Sequence, residues 1–497
     1  MSEPIQTKHE TLAYPLGIPT GLFIGGEWLP GTGCFGVTNP ADGTEIGRVS
    51  NASADDATRA LDAAVSAQTA WRNFAPRARA NLMHAAHALM LQREELIVRT
   101  MTLESGKPLT ESRAEFRLSA DFFQWFAEQV AHVHGTYASS SNGGFRVVIT
   151  YAPVGPCLLI TPWNFPLLMI VRKAGAALAA GCTVVTKSAQ ETPLTCAAFI
   201  QVLQDAGFPP GVVNLLHTTT SSAISDRLMH DPRLRKVSFT GSTGVGSVLL
   251  KLAAENIINA SMELGGDGPF IVLDDADIDL AVDQAIICKF RNAGQACVAA
   301  NRIIVDRNVE PEFTSKFVDK VRNLTVGNGM DPVDVGPMIS AKQRDRLHDT
   351  IQDLTNAGGE VLVGGRVIQS PGYFFEPTVI RFPTRNDVMC SRELFAPVAA
   401  IFAVDGAAQA LDFANDSRFG LASYVFTRDL SRAVAFGERL EFGMVGINRG
   451  IMADPAAPFG GTKASGLGRE AGQDGIYEFL EKKYMAVTVF EPKGSLA

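Results

Sequence analysis

The sequence predicts an α/β fold with two doubly wound units, each a mainly parallel sheet covered by helices. Three observations predict it. Apolar runs of about four residues alternate with helical stretches from Pro156 to Gly265. The alternation resumes after Pro269 and continues to Gly443–Asn448. At 497 residues the chain is also too long for one compact core. Strand–helix–strand alternation implies right-handed crossovers, which lay the strands side by side in parallel.

The elements follow in order. Residues 1–22 read as a loosely held arm. Ser53-Ala54-Asp55-Asp56 is a capping-type helix start, with Leu61, Ala64 and Val65 on one face of the helix it opens. Helical patterns then run from about Pro76 to Glu104 and from about Glu111 to Val133. Ser139–Gly144 is a turn before a strand from Arg146 to Tyr151. In the first unit the strands are Cys157–Ile160, Thr183–Thr186, Val212–Leu215 and Lys236–Phe239. In the second, Phe270–Leu273 precedes a helix ending at Phe290, and Arg302–Val305 follows. Glu263 and the glycines after it fall near the junction, where ligand clefts tend to form. Glu481–Phe490 is β-prone and can pair with the earlier strand or with a neighbouring subunit.

Composition excludes several classes. A hydrophobic fraction of 46% and a charged fraction of 19% are ordinary for a globular enzyme. The net charge of -8, with no basic run, argues against nucleic-acid or anionic-membrane partners. Cys34, Cys157, Cys182, Cys196, Cys288, Cys297 and Cys390 are dispersed without CxxC spacing and read as reduced thiols of a cytoplasmic protein. Met1–Glu10 lacks the apolar core of a signal peptide, and no apolar stretch reaches transmembrane length. His84 with His87, and His132 with His134, lack carboxylate or cysteine companions at ligand spacing, so no metal is expected.

Three segments carry candidate chemistry. In Phe290-Arg291-Asn292-Ala293-Gly294-Gln295-Ala296-Cys297 the cysteine follows a glycine that permits a tight turn. Its thiol can be partly exposed there and met by backbone N–H groups. Most cysteines are small buried hydrophobes, as Cys288 is expected to be; position marks Cys297 as a nucleophile. Glu263, in Met262-Glu263-Leu264-Gly265-Gly266, has apolar and glycine flanks, where desolvation lifts a carboxylate toward the range of a usable base. Asn164, in Thr161-Pro162-Trp163-Asn164-Phe165-Pro166, offers an amide donor to an oxyanion, although Asn among prolines ordinarily caps a turn. Together these suit a reaction through a covalent thioester. The Phe239–Gly246 loop follows a strand and opens a helix, and Gly241 and Ser242 are small enough for a phosphate to approach the helix N–H groups. Its spacing is not the GxGxxG fingerprint. Lys187, ending its strand, is placed to meet a cofactor's ribose or phosphate.

Over essentially its whole length the chain resembles the aldehyde dehydrogenase superfamily. The resemblance rests on six ordered motifs: Pro162–Pro166, Lys187 with Glu191-Thr192-Pro193, Phe239–Gly246, Glu263–Gly266, Gly294–Cys297 and Glu393-Leu394-Phe395. Arg172–Cys182, Pro458–Glu470 and Lys483-Tyr484-Met485 are most similar to its succinate-semialdehyde dehydrogenase branch. The resemblance implies attack of the Cys297 thiolate on an aldehyde, with the oxyanion held by Asn164 and the Cys297 N–H. Hydride then passes to NAD or NADP, and Glu263 activates the water that releases the acid. It also implies that Glu393 holds the nicotinamide ribose beside Phe395, that Trp163, Gly241, Ser242 and Leu264 line the cofactor path, and that Arg172 and Arg291 bind a substrate carboxylate.

The implied aldehyde-dehydrogenase-like fold has a cofactor domain (1–132 and 153–263), a catalytic domain (264–475) and an oligomerisation element (133–152 and 476–497), with a homodimer or homotetramer expected. Gln190 stands where many NAD-using relatives carry Glu, which removes repulsion of a 2′-phosphate and predicts that NADP is accepted. Ala453 replaces a serine partner of the carboxylate site, Ala299 removes a second thiol near the nucleophile, and Asp267 is unusual for the family. Competing readings are a dehydrogenase for uncharged aldehydes, a CoA-acylating relative, a cysteine acyl transferase or hydrolase, and a catalytically silent relative. Intact Cys297, Glu263 and Asn164, together with the cofactor loop, oppose the last three.

Overall fold

Residues 17–383 and 392–490 are described here from a computed structural model. An eight-stranded sheet runs in the order Gly466–Leu467, Asn259–Glu263, Lys236–Thr240, Cys157–Ile160, Val184–Lys187, Val213–Leu216, Leu22–Ile24, Glu27–Leu29. Its five central strands are parallel. A seven-stranded sheet runs Glu360–Val363, Thr378–Phe382, Val398–Val404, Arg302–Asp306, Pro269–Val272, Ala422–Phe426, Met444–Ile447, parallel except at the Glu360–Val363 edge. Most central strands are buried along their whole length, as strands covered by helices on both faces must be. The strands expected in the two units lie within one or two residues of those observed, whereas the tail strand ends at Val487, three residues before the expected Phe490.

Some expectations need correction. The long pattern from Pro76 to Glu104 is two helices, Pro76–Gln92 and Glu94–Ser105. The chain turns at Arg93, whose N–H closes the first helix and whose guanidinium pairs with Asp205 at 2.6 Å. The next helix is Leu109–Gln129, started by Pro108 instead of at Glu111. Gly466–Leu467, grouped from sequence with the second unit, forms the antiparallel edge of the first sheet against Met262 and Glu263. Of the expected loose arm, residues 1–16 lie outside the described residues, while Ile18 and Leu22 are buried and Leu22 opens a strand. The Ser53 capping box forms with Asp56.

A third sheet joins Leu480–Val487, Arg146–Pro153 and Thr136–Ser139, all antiparallel. The β-prone tail thus pairs within its own chain, from Leu480 against Pro153 to Val487 against Arg146. Among the described residues no helix is long and apolar enough to cross a membrane.

Helix Pro166–Ala180 is buried on every side, although it carries Arg172 and Lys173. Both cations pair with Glu470, Arg172 at 3.0 Å. Asp267 has a similar explanation. It is fully buried and pairs at 2.7 Å with Arg302, which also donates to the carbonyls of Phe413 and Ala414 at the end of helix Gly406–Asn415. Removing one member of a buried pair strands the other, at about 3–5 kcal/mol. Asp267→Ala should therefore lower the unfolding free energy, read from denaturant titration, by an amount of that order. A loss below about 1 kcal/mol would show that Arg302 is satisfied by the two carbonyls alone.

Candidate active site

The parallel strands of the first sheet end level with one another. Ile160 pairs with Lys187 and Phe239, and Thr240 pairs with Glu263. The segments that follow these ends, Thr161–Phe165, Gly241–Thr243 and Leu264–Gly266, therefore converge in the crevice outside the carboxyl edge, where open α/β sheets bind ligands. The second unit closes it. A cavity of about 710 Å³ is lined by Trp163, Asn164, Gly241, Ser242, Leu264, Cys297, Glu393 and Phe395, among others. Eight of the sequence-predicted site residues meet there.

Cys297 follows a strained loop. Asn292, Ala293 and Gly294 are left-handed in succession, with φ of 53°, 53° and 70°. Such a run costs the two non-glycine residues strain and must be held by its surroundings. At Gly294 a side chain would collide with the Ala396 carbonyl, and at Gly266 one would lie 2.6 Å from the Cys297 carbonyl oxygen. Cys297 is partly exposed on the cavity wall. Burial pushes its thiol up to about 12; Arg172 opposes this, while Glu393 and Glu263 add to it. The resting sulfur is a thiol, and attack requires a proton acceptor.

Asn164 is buried, and its Nδ2 donates to the Gln295 carbonyl at 3.1 Å while its Oδ1 has no partner. Glu263 is also buried, with Oε2 unpaired. Burial first, then the neighbouring Glu470, raises its carboxyl well above the ordinary range. Burial works on Glu470 in the same direction, but Lys173 and Arg172 prevail and hold it ionised. Unsatisfied buried oxygens are rare in folded proteins; Asn164 lines the cavity, whereas Glu263, just before Leu264 in the chain, is not part of the lining.

The glycine loop suits a dinucleotide. Ser242 caps helix Thr243–Glu255 through Val245 N, leaving the helix start open to the cavity. Gly246 packs so closely on Leu264 that a side chain would collide with it. Glu393 accepts from Gly266 N at 3.2 Å, and burial raises its carboxyl to about 7. Trp163 and Phe395 meet edge to face at 5.4 Å. A carboxylate, an aromatic pair and open helix amides in one groove match the ribose, ring and phosphate groups of NAD(P).

Other expected residues lie outside that cavity. Lys187 ends its strand, buried, and donates to Ser221 at 3.0 Å; burial lowers its ammonium to about 8. Gln190 is exposed in the next loop. Arg291 is half-buried, 5.3 Å from the ring centre of Phe165. Arg172 is buried, paired with Glu470 and stacked 4.1 Å from the Phe459 ring centre, with its Nε unpartnered.

Sequence reasoning missed the supporting residues Lys107, Glu111, Glu115, Asn292 and Glu470. Glu111 and Glu115 did carry a signal, since both fall one turn apart on a helix whose face is otherwise apolar.

The chain matches the model of the aldehyde dehydrogenase family over residues 28–485. It is 45% identical to a succinate-semialdehyde dehydrogenase of Paenarthrobacter nicotinovorans over 89% of this chain and 98% of that protein. With the NADP(+) succinate-semialdehyde dehydrogenase of Escherichia coli K12 it shares 43% identity over 93% of this chain and 97% of the relative. A crystal structure of an NADP-dependent enzyme of E. coli superposes with a TM-score of 0.93 at 42% identity, covering 95% of this chain and 98% of that one.

The elevated Cys297 thiol has a measurable consequence. Alkylation of Cys297 by iodoacetamide in the ligand-free protein, followed by peptide mass spectrometry, should rise about tenfold per pH unit from pH 7 to 10 without levelling. A plateau below pH 8 would contradict a thiol held near 12.

Proposed function

This chain belongs to the aldehyde dehydrogenase family and is an NAD(P)-dependent oxidoreductase acting on an aldehyde, and we propose that its substrate is a carboxylate-bearing semialdehyde, succinic semialdehyde before others. The observation that carries the reading is the convergence of Cys297, Asn164, Glu393 and the Gly241–Gly244 loop on one cavity. The similarity to two succinate-semialdehyde dehydrogenases supports the substrate class.

In this reading Cys297 attacks the aldehyde carbon, its proton passing to a base. The Asn164 amide and the Cys297 N–H hold the oxyanion. NAD(P) bound in the groove supplies the hydride acceptor, with Glu393 on its ribose and Trp163, Leu264 and Phe395 along its path. Glu263 then takes a proton from water as that water attacks the thioacyl carbon, and the acid leaves. Burial and the neighbouring Glu470 raise the Glu263 carboxyl, which makes its carboxylate a stronger base. Arg291, over Phe165, is the proposed anchor for the substrate's carboxylate.

The eight-stranded unit is the proposed cofactor domain and the seven-stranded unit the catalytic domain. The sheet of 136–153 with 480–487 is the proposed oligomerisation element of a homodimer or homotetramer. Its strand Leu480–Val487 is an edge with Tyr484 58% exposed, a surface that supports pairing with another copy. A cytoplasmic location is proposed from the dispersed cysteines, which are unpaired among the described residues.

Arg291→Ala should lower kcat/KM for succinic semialdehyde by about 10–100-fold, the loss of one charge-assisted hydrogen bond, while propionaldehyde changes less than about twofold. Equal losses for both aldehydes would end the anchor assignment. Acceptance of NADP is proposed from Lys187 beside a neutral Gln190. Gln190→Glu should weaken NADP about tenfold or more and leave NAD within about threefold. A parent protein binding NADP a hundredfold more weakly than NAD would contradict this.

A further inference from the structure

Two carboxylates one turn apart on helix Leu109–Gln129 reach both halves of the reaction centre. Glu115 accepts from the amides of Leu167 and Leu168, at 3.0 and 3.1 Å, in the first turn of the helix just after Asn164 and Phe165. Its other oxygen pairs at 2.6 Å with Lys107, and neither side chain is more than 1% exposed. Lys107 donates in turn to the main-chain carbonyl of Asn164 at 2.6 Å and sits 4.5 Å over the Phe165 ring. Glu111 accepts from Asn292 N at 2.8 Å, gripping the left-handed loop that leads to Cys297. The two halves are also tied directly. The Asn292 side chain donates to the Asn164 carbonyl at 2.9 Å, and the Asn164 side chain donates to the Gln295 carbonyl at 3.1 Å.

A buried ion pair is a poor way to gain stability, because well-packed apolar residues of similar volume hold a fold as well or better. What it adds is direction: charge-assisted bonds fix the atoms they join. Here those atoms belong to the residues bearing the oxyanion donor and to the loop bearing the nucleophile. We propose that Lys107, Glu115 and Glu111 are positioning residues, and that the helix bearing the two carboxylates, with Lys107 just before it, sets the separation between the Asn164 amide and the Cys297 thiol. The inference rests on the roles proposed above for Asn164 and Cys297. A misplacement of about 1 Å in such a pair costs about a hundredfold in rate.

The test compares Lys107→Met, Glu111→Ala and Glu111→Gln in the full chain, with kcat expressed per titrated Cys297. Lys107→Met and Glu111→Ala should lower kcat about 10–100-fold, with the aldehyde KM and the NADP dissociation constant within about threefold of the parent. Glu111→Gln keeps an oxygen that can accept from Asn292 N–H and should recover to within about fivefold. Because Lys107 acts through Asn164, Lys107→Met should cost less than about twofold further in an Asn164→Ala background. Equal losses in both backgrounds, or kcat within twofold of the parent for both Lys107→Met and Glu111→Ala, would overturn the proposal. If Lys107→Met fails to fold, the contrast between Glu111→Ala and Glu111→Gln decides: rescue supports the proposal and equal activity overturns it. Should Asn164→Ala alone leave kcat unchanged, the oxyanion role itself falls, and the positioning role with it. A crippled Asn164→Ala beside normal Lys107→Met and Glu111→Ala removes only the positioning role.

Discussion

Charge that cannot reach water must be answered inside the protein, and that requirement organises this molecule more than any single apolar contact. Arg172 and Lys173 lie on a helix with no solvent-facing side and are answered by one carboxylate, Glu470. Lys107 is answered by Glu115, and Arg302 by Asp267. The Glu470 pairs join segments almost 300 residues apart, whereas Lys107 and Glu115 are eight residues apart and tie the start of their helix to the Asn164 segment. The same low-dielectric interior raises the Glu263 carboxyl above its ordinary range and pushes the Cys297 thiol up. One environment thus holds the fold and sets the protonation of the groups that react.

The reaction centre combines regular and strained backbone. Strand ends deliver Asn164, Gly241 and Glu263 to a common level because parallel register leaves little freedom there. The nucleophile arrives differently, after three left-handed residues that a free chain would seldom adopt. That loop is held by hydrogen bonds to Glu111, Asn164 and Gln295, which makes the approach of Cys297 a property of its neighbours as much as of its own sequence.

Much of this was legible in the sequence, and the exceptions have physical reasons. Parallel strands buried on both faces read as short apolar runs, so their positions were recoverable almost to the residue. The break at Arg93 was not, because the apolar period continues through it and only a turn of backbone separates the helices. The nucleophile, base and amide were visible because glycine and proline frame them. The internal pairing of Arg172 was not legible, because nothing nearby in sequence answers its charge. Its partner Glu470 lies almost 300 residues away, and no local pattern records such a pairing. Asp267, unaccountable from sequence, became intelligible once Arg302 was seen beside it.

The separation of 297 residues between Lys173 and Glu470 has a consequence for synthesis. When helix Pro166–Ala180 leaves the ribosome it carries two cations and no counter-charge. Translation at about 5–20 residues per second reaches Glu470 roughly 15–60 s later. Until then burial of that helix leaves both ammonium and guanidinium groups unanswered, and the edge strand Gly466–Leu467 is likewise missing from the first sheet. The unit begun first is therefore among the last to be completed, and a nascent chain of this protein must pass most of its synthesis with its central helix still wet.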